Sequence, residues 1–259
     1  MFAELNGARI CYDVQGEGDP VLLIEGFGAN RKFWKGLVPL LEGHTVVTLD
    51  NRGVGDTEYS GGFTIDDLAD DAVALMSMLG FDRFHVVGWS MGSLIAQSML
   101  LRHRDVLKDA VLISTYIDRP ARSSYVLGEF TRMVNDGTAT MESFFVMVNA
   151  FVFSEMVFRD LEDKGIIMPI PKRLERPEGL RDQLIAVCDF YPGQTLSQVT
   201  TPVLVVQGTE DIMTPFHQGE VVRDLIPGAE ILPVEGQGHT IGPKYYSSAV
   251  LEFFSRHPE

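Results

Sequence analysis

Seven short apolar runs constrain this chain more than anything else in it: Ile10 to Val14, Val21 to Ile24, Thr45 to Leu49, Phe84 to Val87, Ala110 to Ile113, Val203 to Val206 and Ile231 to Val234. Each has the length and the apolar content of a buried strand. Helical spacing fills most of the gaps, near Trp34 to Leu41, Ile65 to Leu79, Ser90 to Leu101, Pro215 to Ile226 and Tyr245 to Phe254. Strands alternating with helices require a mostly parallel sheet with helices on both faces. The first two runs are joined without a helix and are expected to form an antiparallel edge. From about Ile117 to Cys188 there is no strand-like run, and "MESFFVMVNAFVFSEMVF" reads as helix. This insert is expected to lie as a lid over the strand ends. Its side chains Phe144, Phe145, Met147, Val148, Phe151, Val152 and Phe153 leave few polar positions for a solvent face, so some of them are expected to line a ligand pocket.

Composition narrows the function. A chain of 259 residues with 45% hydrophobic content can bury a substantial core, and one domain with an insertion is the economical reading. The net charge of −15 repels nucleic-acid backbones and anionic lipid, and no Lys/Arg cluster offsets it. Neither a targeting signal nor an apolar stretch of spanning length is visible, so a soluble, cytoplasmic protein without a membrane partner is expected. The two cysteines, Cys11 and Cys188, lack metal-type spacing and are expected to be reduced and packed, with no structural disulfide and no zinc.

Chemistry enters at "FHVVGWSMGSLIAQSML". The run Phe84, Val86, Val87 stops at Gly88, and beyond Ser90 the apolar residues Met91, Leu94, Ile95 and Met99 recur on one helical face. Ser90 therefore sits on a strand-to-helix corner, where glycines on either side remove clashing Cβ atoms. Such a serine could simply cap the helix. Gly88-Trp89-Ser90-Met91-Gly92 also matches the Gly-x-Ser-x-Gly elbow that exposes a nucleophile. A serine nucleophile requires a base, and the base requires a carboxylate. "QGTEDIMTP" places Asp211 just past a strand, and "EGQGHTIGP" places His239 in a glycine-rich loop after the next one. Glu210 and Asp118 rival Asp211, and His217 rivals His239. The remaining histidines, His44, His85, His103 and His257, read as packing or surface residues. In such an architecture the oxyanion donors are the backbone N–H of Met91 and one from the loop "IEGFGAN", which points to Phe27.

With these motifs the chain resembles the α/β-hydrolase superfamily over nearly its whole length. It is most similar to the compact esterase and lactonase branch that includes 3-oxoadipate enol-lactonase-like and pimeloyl carrier-protein methyl esterase-like proteins. "DNRGVGDT", Asp50 to Thr57, resembles that branch's D-x-R-G-x-G-x-S loop, with Thr57 in place of serine. The resemblance implies a mostly parallel eight-stranded sheet with a helical cap between strands 6 and 7. The expected division is core 1–116, cap and return helix 117–190, and core 191–259. It further implies a triad of Ser90, Asp211 and His239, no cofactor, no metal, and a small-molecule ester or lactone as substrate. Phe27, Trp89, Phe144, Met147, Phe151, Ile212 and Ile241 are the expected substrate contacts. Perhydrolysis, thioester cleavage or C–C bond hydrolysis with the same triad, or a slow ligand receptor on the same scaffold, are the alternatives. Two positions depart from the family pattern. Ser93 follows Gly92 where a second glycine is common. Glu25 stands where His is common, and it is expected to pair with Arg31, Lys32 or Arg52, although protonation by burial or a cationic substrate group would also compensate it.

Overall fold

The computed structural model describes residues 1–166 and 177–258. Eight strands form one sheet: β1 Phe2–Leu5, β2 Ala8–Gln15, β3 Asp19–Ile24, β4 His44–Leu49, β5 Phe84–Trp89, β6 Leu107–Ile113, β7 Val203–Gly208 and β8 Glu230–Val234. Their order is β1-β2-β4-β3-β5-β6-β7-β8, and every pairing from β4 through β8 is parallel. The antiparallel edge expected between Ile10–Val14 and Val21–Ile24 does not form. β2 pairs instead with β1 and with β4, and β3 lies beyond β4. The strand β1 is only four residues long, too short for its pattern to distinguish it in the sequence.

Period-two alternation divides the sheet between two cores. In β3, Leu22 and Ile24 pack with Leu68, Leu75, Leu94 and Ile95, while Val21 and Leu23 pack with Trp34, Leu37, Val250 and Phe253. The first face carries helices α1 (Ile65–Met78), α2 (Met91–Arg102) and α7 (Phe216–Leu225), and the second carries the C-terminal helix α8 (Ser247–Ser255). The helix expected near Trp34 is two short 3₁₀ turns, Arg31–Gly36 and Val38–Leu40, with Pro39 inside the second. Helix α2 is buried on all sides from Met91 to Leu100, because it lies against both α1 and the sheet. Its polar residues are therefore buried and bonded: Ser98 donates to Asp66 at 2.6 Å, and Ser93 and Gln97 both reach Thr115.

Between β6 and β7 the described residues form no strand: α3 Ala121–Asn135, α4 Met141–Val152, α5 Glu155–Asp163 and α6 Pro177–Asp189 are followed by a 3₁₀ turn, Gly193–Gln198. Residues 167–176 of the expected cap lie outside the described residues. The apolar stretch read as one helix is two, parted at Phe153 and Ser154. No single helix among the described residues is long and apolar enough to cross a membrane, and α4 and α5, which together reach that length, are bent by 112°. Cys11 is buried as expected, but Cys188 is exposed, on the outer face of α6.

The Asp50 to Thr57 loop proves to be a brace for the sheet edge. Asp50, fully buried, accepts from the backbone N–H groups of Arg31 and Asp56, each at 2.8 Å, and forms an ion pair with the Arg31 guanidinium. Cys11, Asp50 and Asp56 offer ligand atoms within 4.8 Å of one another, and Arg31, paired with both aspartates, supplies the positive charge there. Burial alone would push the Arg31 guanidinium down, but Asp50 and Asp13 raise it overall. Thr57 donates to the Asp50 carbonyl at 2.7 Å and accepts from the Cys11 N–H at 2.9 Å, so its hydroxyl does the bonding that a serine there would do. Arg52 binds Asp71 through two bonds of 2.6 and 2.9 Å, and this bonding, working against burial, raises its already high pKa. Both partners are buried, so Arg52→Met is expected to strand the Asp71 carboxylate and cost about 3–5 kcal/mol. Urea unfolding measures this, and Arg52→Met/Asp71→Leu should recover most of the loss. An unchanged unfolding midpoint in the single variant would show that the pair is not desolvated.

Candidate active site

Three loops at the C-terminal ends of β5, β7 and β8 bring Ser90, Asp211 and His239 together. Ser90 Oγ is 2.8 Å from His239 Nε2, and His239 Nδ1 is 2.9 Å from Asp211 Oδ2. The rivals lie elsewhere. Glu210, Asp118 and His217 are exposed, and the His217 ring lies 3.3 Å from the side-chain amide of its neighbour Gln218. His85 is buried beneath the sheet, 2.9 Å from Asp109, and stacks on Phe254.

Local geometry explains each placement. Ser90 adopts φ +54° and ψ −116°, a region that L-residues seldom occupy, so the corner is strained. The flanking glycines make the corner possible: a Cβ on Gly88 would lie 2.2 Å from the Gly92 carbonyl oxygen, and one on Gly92 would lie 2.1 Å from that of Ile24. Asp211 is locked from several sides. Its Oδ1 accepts from the backbone N–H groups of Met213 and Thr214, both at 2.8 Å, and its Oδ2 from the Thr214 hydroxyl at 2.7 Å. With that many donors fixed on it, the carboxylate presents Oδ2 to the imidazole in one orientation. The His239 carbonyl accepts from Trp89 Nε1 at 2.9 Å and from the Ser114 hydroxyl at 2.7 Å, so the residue before the serine also holds the histidine loop.

Helices of the insert touch the Asp211 and His239 loops and the loops that follow β3 and β4. Ser123 of α3 donates to the Met213 carbonyl, and the Thr240 N–H donates to the Val152 carbonyl of α4 at 2.8 Å. Gln183 of α6, fully buried, accepts from the Gly28 N–H and donates to the Arg52 carbonyl, both at 2.9 Å. These contacts join residues about 90 to 155 positions apart in the sequence, and no local pattern signals them.

A cavity of about 200 Å³ opens above Ser90 and His239. Among the expected contacts, Phe27, Trp89 and Phe144 line it. Met147 and Phe151 do not: the pocket face of α4 is Phe144, Phe145, Val148, Asn149 and Val152, and the Phe151 ring turns toward Phe130 instead. Ile212 is exposed, and Ile241 is buried in the core beneath α8. The sequence reading missed Phe33, which stacks on Trp89 at 4.2 Å, and Leu127 and Met213, which come from α3 and the aspartate loop. A wider, polar cleft of about 500 Å³ between Tyr59 and the start of α6 includes neither Ser90 nor His239 in its walls.

The N–H groups of Phe27 and Met91 donate to no group among the described residues. Glu25, fully buried just before that loop, accepts on Oε1 from the Asn51 N–H at 3.1 Å and from Asn51 Nδ2 at 3.0 Å. Its expected pairing with Arg31, Lys32 or Arg52 is corrected: Arg31 serves Asp13, Asp50 and Asp56, Arg52 serves Asp71, and Lys32 is exposed. The carboxylate is turned into the neighbouring loop and met there by amide donors.

A mostly parallel sheet with a strained serine corner, a buried carboxylate and an imidazole at the ends of β5, β7 and β8 defines an enzyme of the hydrolase class. The family model described as "alpha/beta hydrolase fold" matches residues 19–154, and the chain belongs to this family. A second model, described as "TAP-like protein", matches residues 189–256. The protein named "Putative non-heme bromoperoxidase BpoC" of Mycobacterium tuberculosis is 31% identical over 95% of this chain and 98% of its own length. Its crystal structure superposes with a TM-score of 0.85, covering 95% and 96% of the two chains. A pimeloyl-[acyl-carrier protein] methyl ester esterase of Neisseria meningitidis is 28% identical over 85% of this chain and 86% of its own. The enol-lactonase of Burkholderia xenovorans, 22% identical, shares the fold with a TM-score of 0.84 over 98% of this chain and 100% of the other.

Proposed function

We propose that this hydrolase cleaves a carboxylic ester or lactone of a small apolar molecule through an acyl-enzyme. The observation that carries the reading is the unbroken chain of hydrogen bonds from Ser90 through His239 to Asp211. His239 takes the hydroxyl proton as Ser90 Oγ bonds to the carbonyl carbon, and Asp211 holds the imidazole's orientation and stabilises its charged form. The oxyanion is received by the Phe27 and Met91 N–H groups. The tetrahedral species collapses as His239 returns the proton to the departing alkoxide, and water repeats the sequence to release the acid. In this reading 1–116 and 191–259 form the catalytic core and 117–190 the cap that shapes the acyl pocket.

The cavity supports the substrate class. Its walls are aromatic and aliphatic except for Asn149, Thr240 and the reacting groups, and its size is below the roughly 300–1,000 Å³ of pockets for drug-sized ligands. Each methylene buried there contributes about 0.8 kcal/mol, so kcat/KM across a p-nitrophenyl ester series should rise about fourfold per added acyl carbon until the cavity is full. A fluorophosphonate should label Ser90 alone. Faster turnover of a dicarboxylate enol-lactone than of any neutral ester would reject the apolar assignment. The relative named a bromoperoxidase favours a second reading, in which hydrogen peroxide replaces water as acyl acceptor. Peracid formation from the same esters that exceeds hydrolysis would select it.

A further inference from the structure

Ser93, which stands where the family commonly has glycine, is fully buried, and its Oγ lies 2.6 Å from the Ser90 carbonyl oxygen. Its second partner is Thr115 Oγ1 at 2.9 Å, and Gln97 Nε2 meets Thr115 Oγ1 at 2.8 Å and the Tyr116 carbonyl at 3.0 Å. The proton order in this buried chain is fixed. The Tyr116 carbonyl can only accept, so Gln97 must present its NH₂ there and to Thr115. Each hydroxyl has one proton to give. Thr115 therefore donates to Ser93, and Ser93 donates to the Ser90 carbonyl. That carbonyl and the Met91 N–H belong to one peptide group. Hydrogen bonds on an amide oxygen draw electron density toward it and strengthen its N–H as a donor, an effect that accumulates along a chain of bonds.

We propose that Ser93 is a positioning residue for the oxyanion site: it ends a Gln97, Thr115, Ser93 relay that polarises and orients the Ser90–Met91 peptide, so that the Met91 N–H is a stronger donor than the glycine-bearing elbow provides. The inference rests on the assignment of Met91 as an oxyanion donor. The same bond helps to hold Ser90 in its strained conformation.

The test compares Ser93→Ala, Ser93→Thr and Thr115→Val with the parent protein, at equal numbers of active sites titrated by fluorophosphonate. The substrate is p-nitrophenyl butyrate, and the transition-state probe is an alkyl trifluoromethyl ketone, whose adduct carries an oxyanion. Ser93→Ala is expected to lower kcat about three- to fivefold with KM unchanged, and to weaken the ketone by the same factor. Thr115→Val should give a smaller loss in the same direction, and Ser93→Thr, which keeps the hydroxyl, should restore both values. Parental kcat per titrated site in Ser93→Ala, or a loss that spares the ketone, overturns the proposal. If Ser93→Ala does not fold, Thr115→Val decides it by the same two readings. Failure of the underlying hydrolase reading is separable, because Ser90→Ala would then keep its turnover.

Discussion

Ser90→Ala is expected to lower kcat for a p-nitrophenyl ester by about 10⁴- to 10⁶-fold and to abolish fluorophosphonate labelling. The size follows from the geometry. Among the described residues Ser90 carries the one hydroxyl on His239 Nε2, the Thr214 hydroxyl lying 3.1 Å from Nδ1 on the aspartate side of the ring, and without Ser90 the covalent route is lost. Stability should hardly change, because alanine and serine both carry a Cβ and are equally strained at φ +54°. A thermal melt within a degree or two of the parent, together with lost turnover, therefore reports chemistry rather than folding. Retention of more than a few per cent of activity would remove Ser90 from the mechanism.

A loss of similar size is expected for His239→Ala, and Ser90→Ala/His239→Ala should be scarcely worse than either alone, since the two groups act in one proton transfer. Asp211→Asn should cost about 10⁴-fold, because an amide presented to Nδ1 favours the wrong tautomer. His217→Ala, on the exposed side of helix Phe216–Leu225, should stay within a few-fold of the parent. Activity that survives in His239→Ala but is lost in His217→Ala would refute the assignment.

Much of the site can be read in the sequence because its parts are made by local chemistry. The corner at Ser90 needs small residues within two positions of it, and Gly88 and Gly92 meet that need in plain view. Asp211 and His239 follow strand-like runs directly, and a parallel sheet brings the ends of such runs to one edge without further information. The resemblance then supplied the number of strands and the place of the cap.

Tertiary structure alone decided the rest. Which neighbour β2 takes depends on a whole-sheet arrangement in which the edge strand β1 covers it on one side, and neither run's own composition encodes that choice. Which α4 residues face the cavity depends on how the helix is rotated against Phe130 and the histidine loop, so Met147 and Phe151 carried the same apolar signal as Phe144 and Val148. The place of Glu25 follows from Asn51, whose two amide donors reach its carboxylate, while Arg31 and Arg52, which the sequence offers as partners, serve other carboxylates. The role of Ser93 likewise waits on Thr115 of the next strand end. Strand and helix periods, turn sterics and the order of loops act over a few residues and are written in the chain itself. Hydrogen-bond partners and cavity walls are chosen by proximity in the folded molecule, and sequence distance does not measure that.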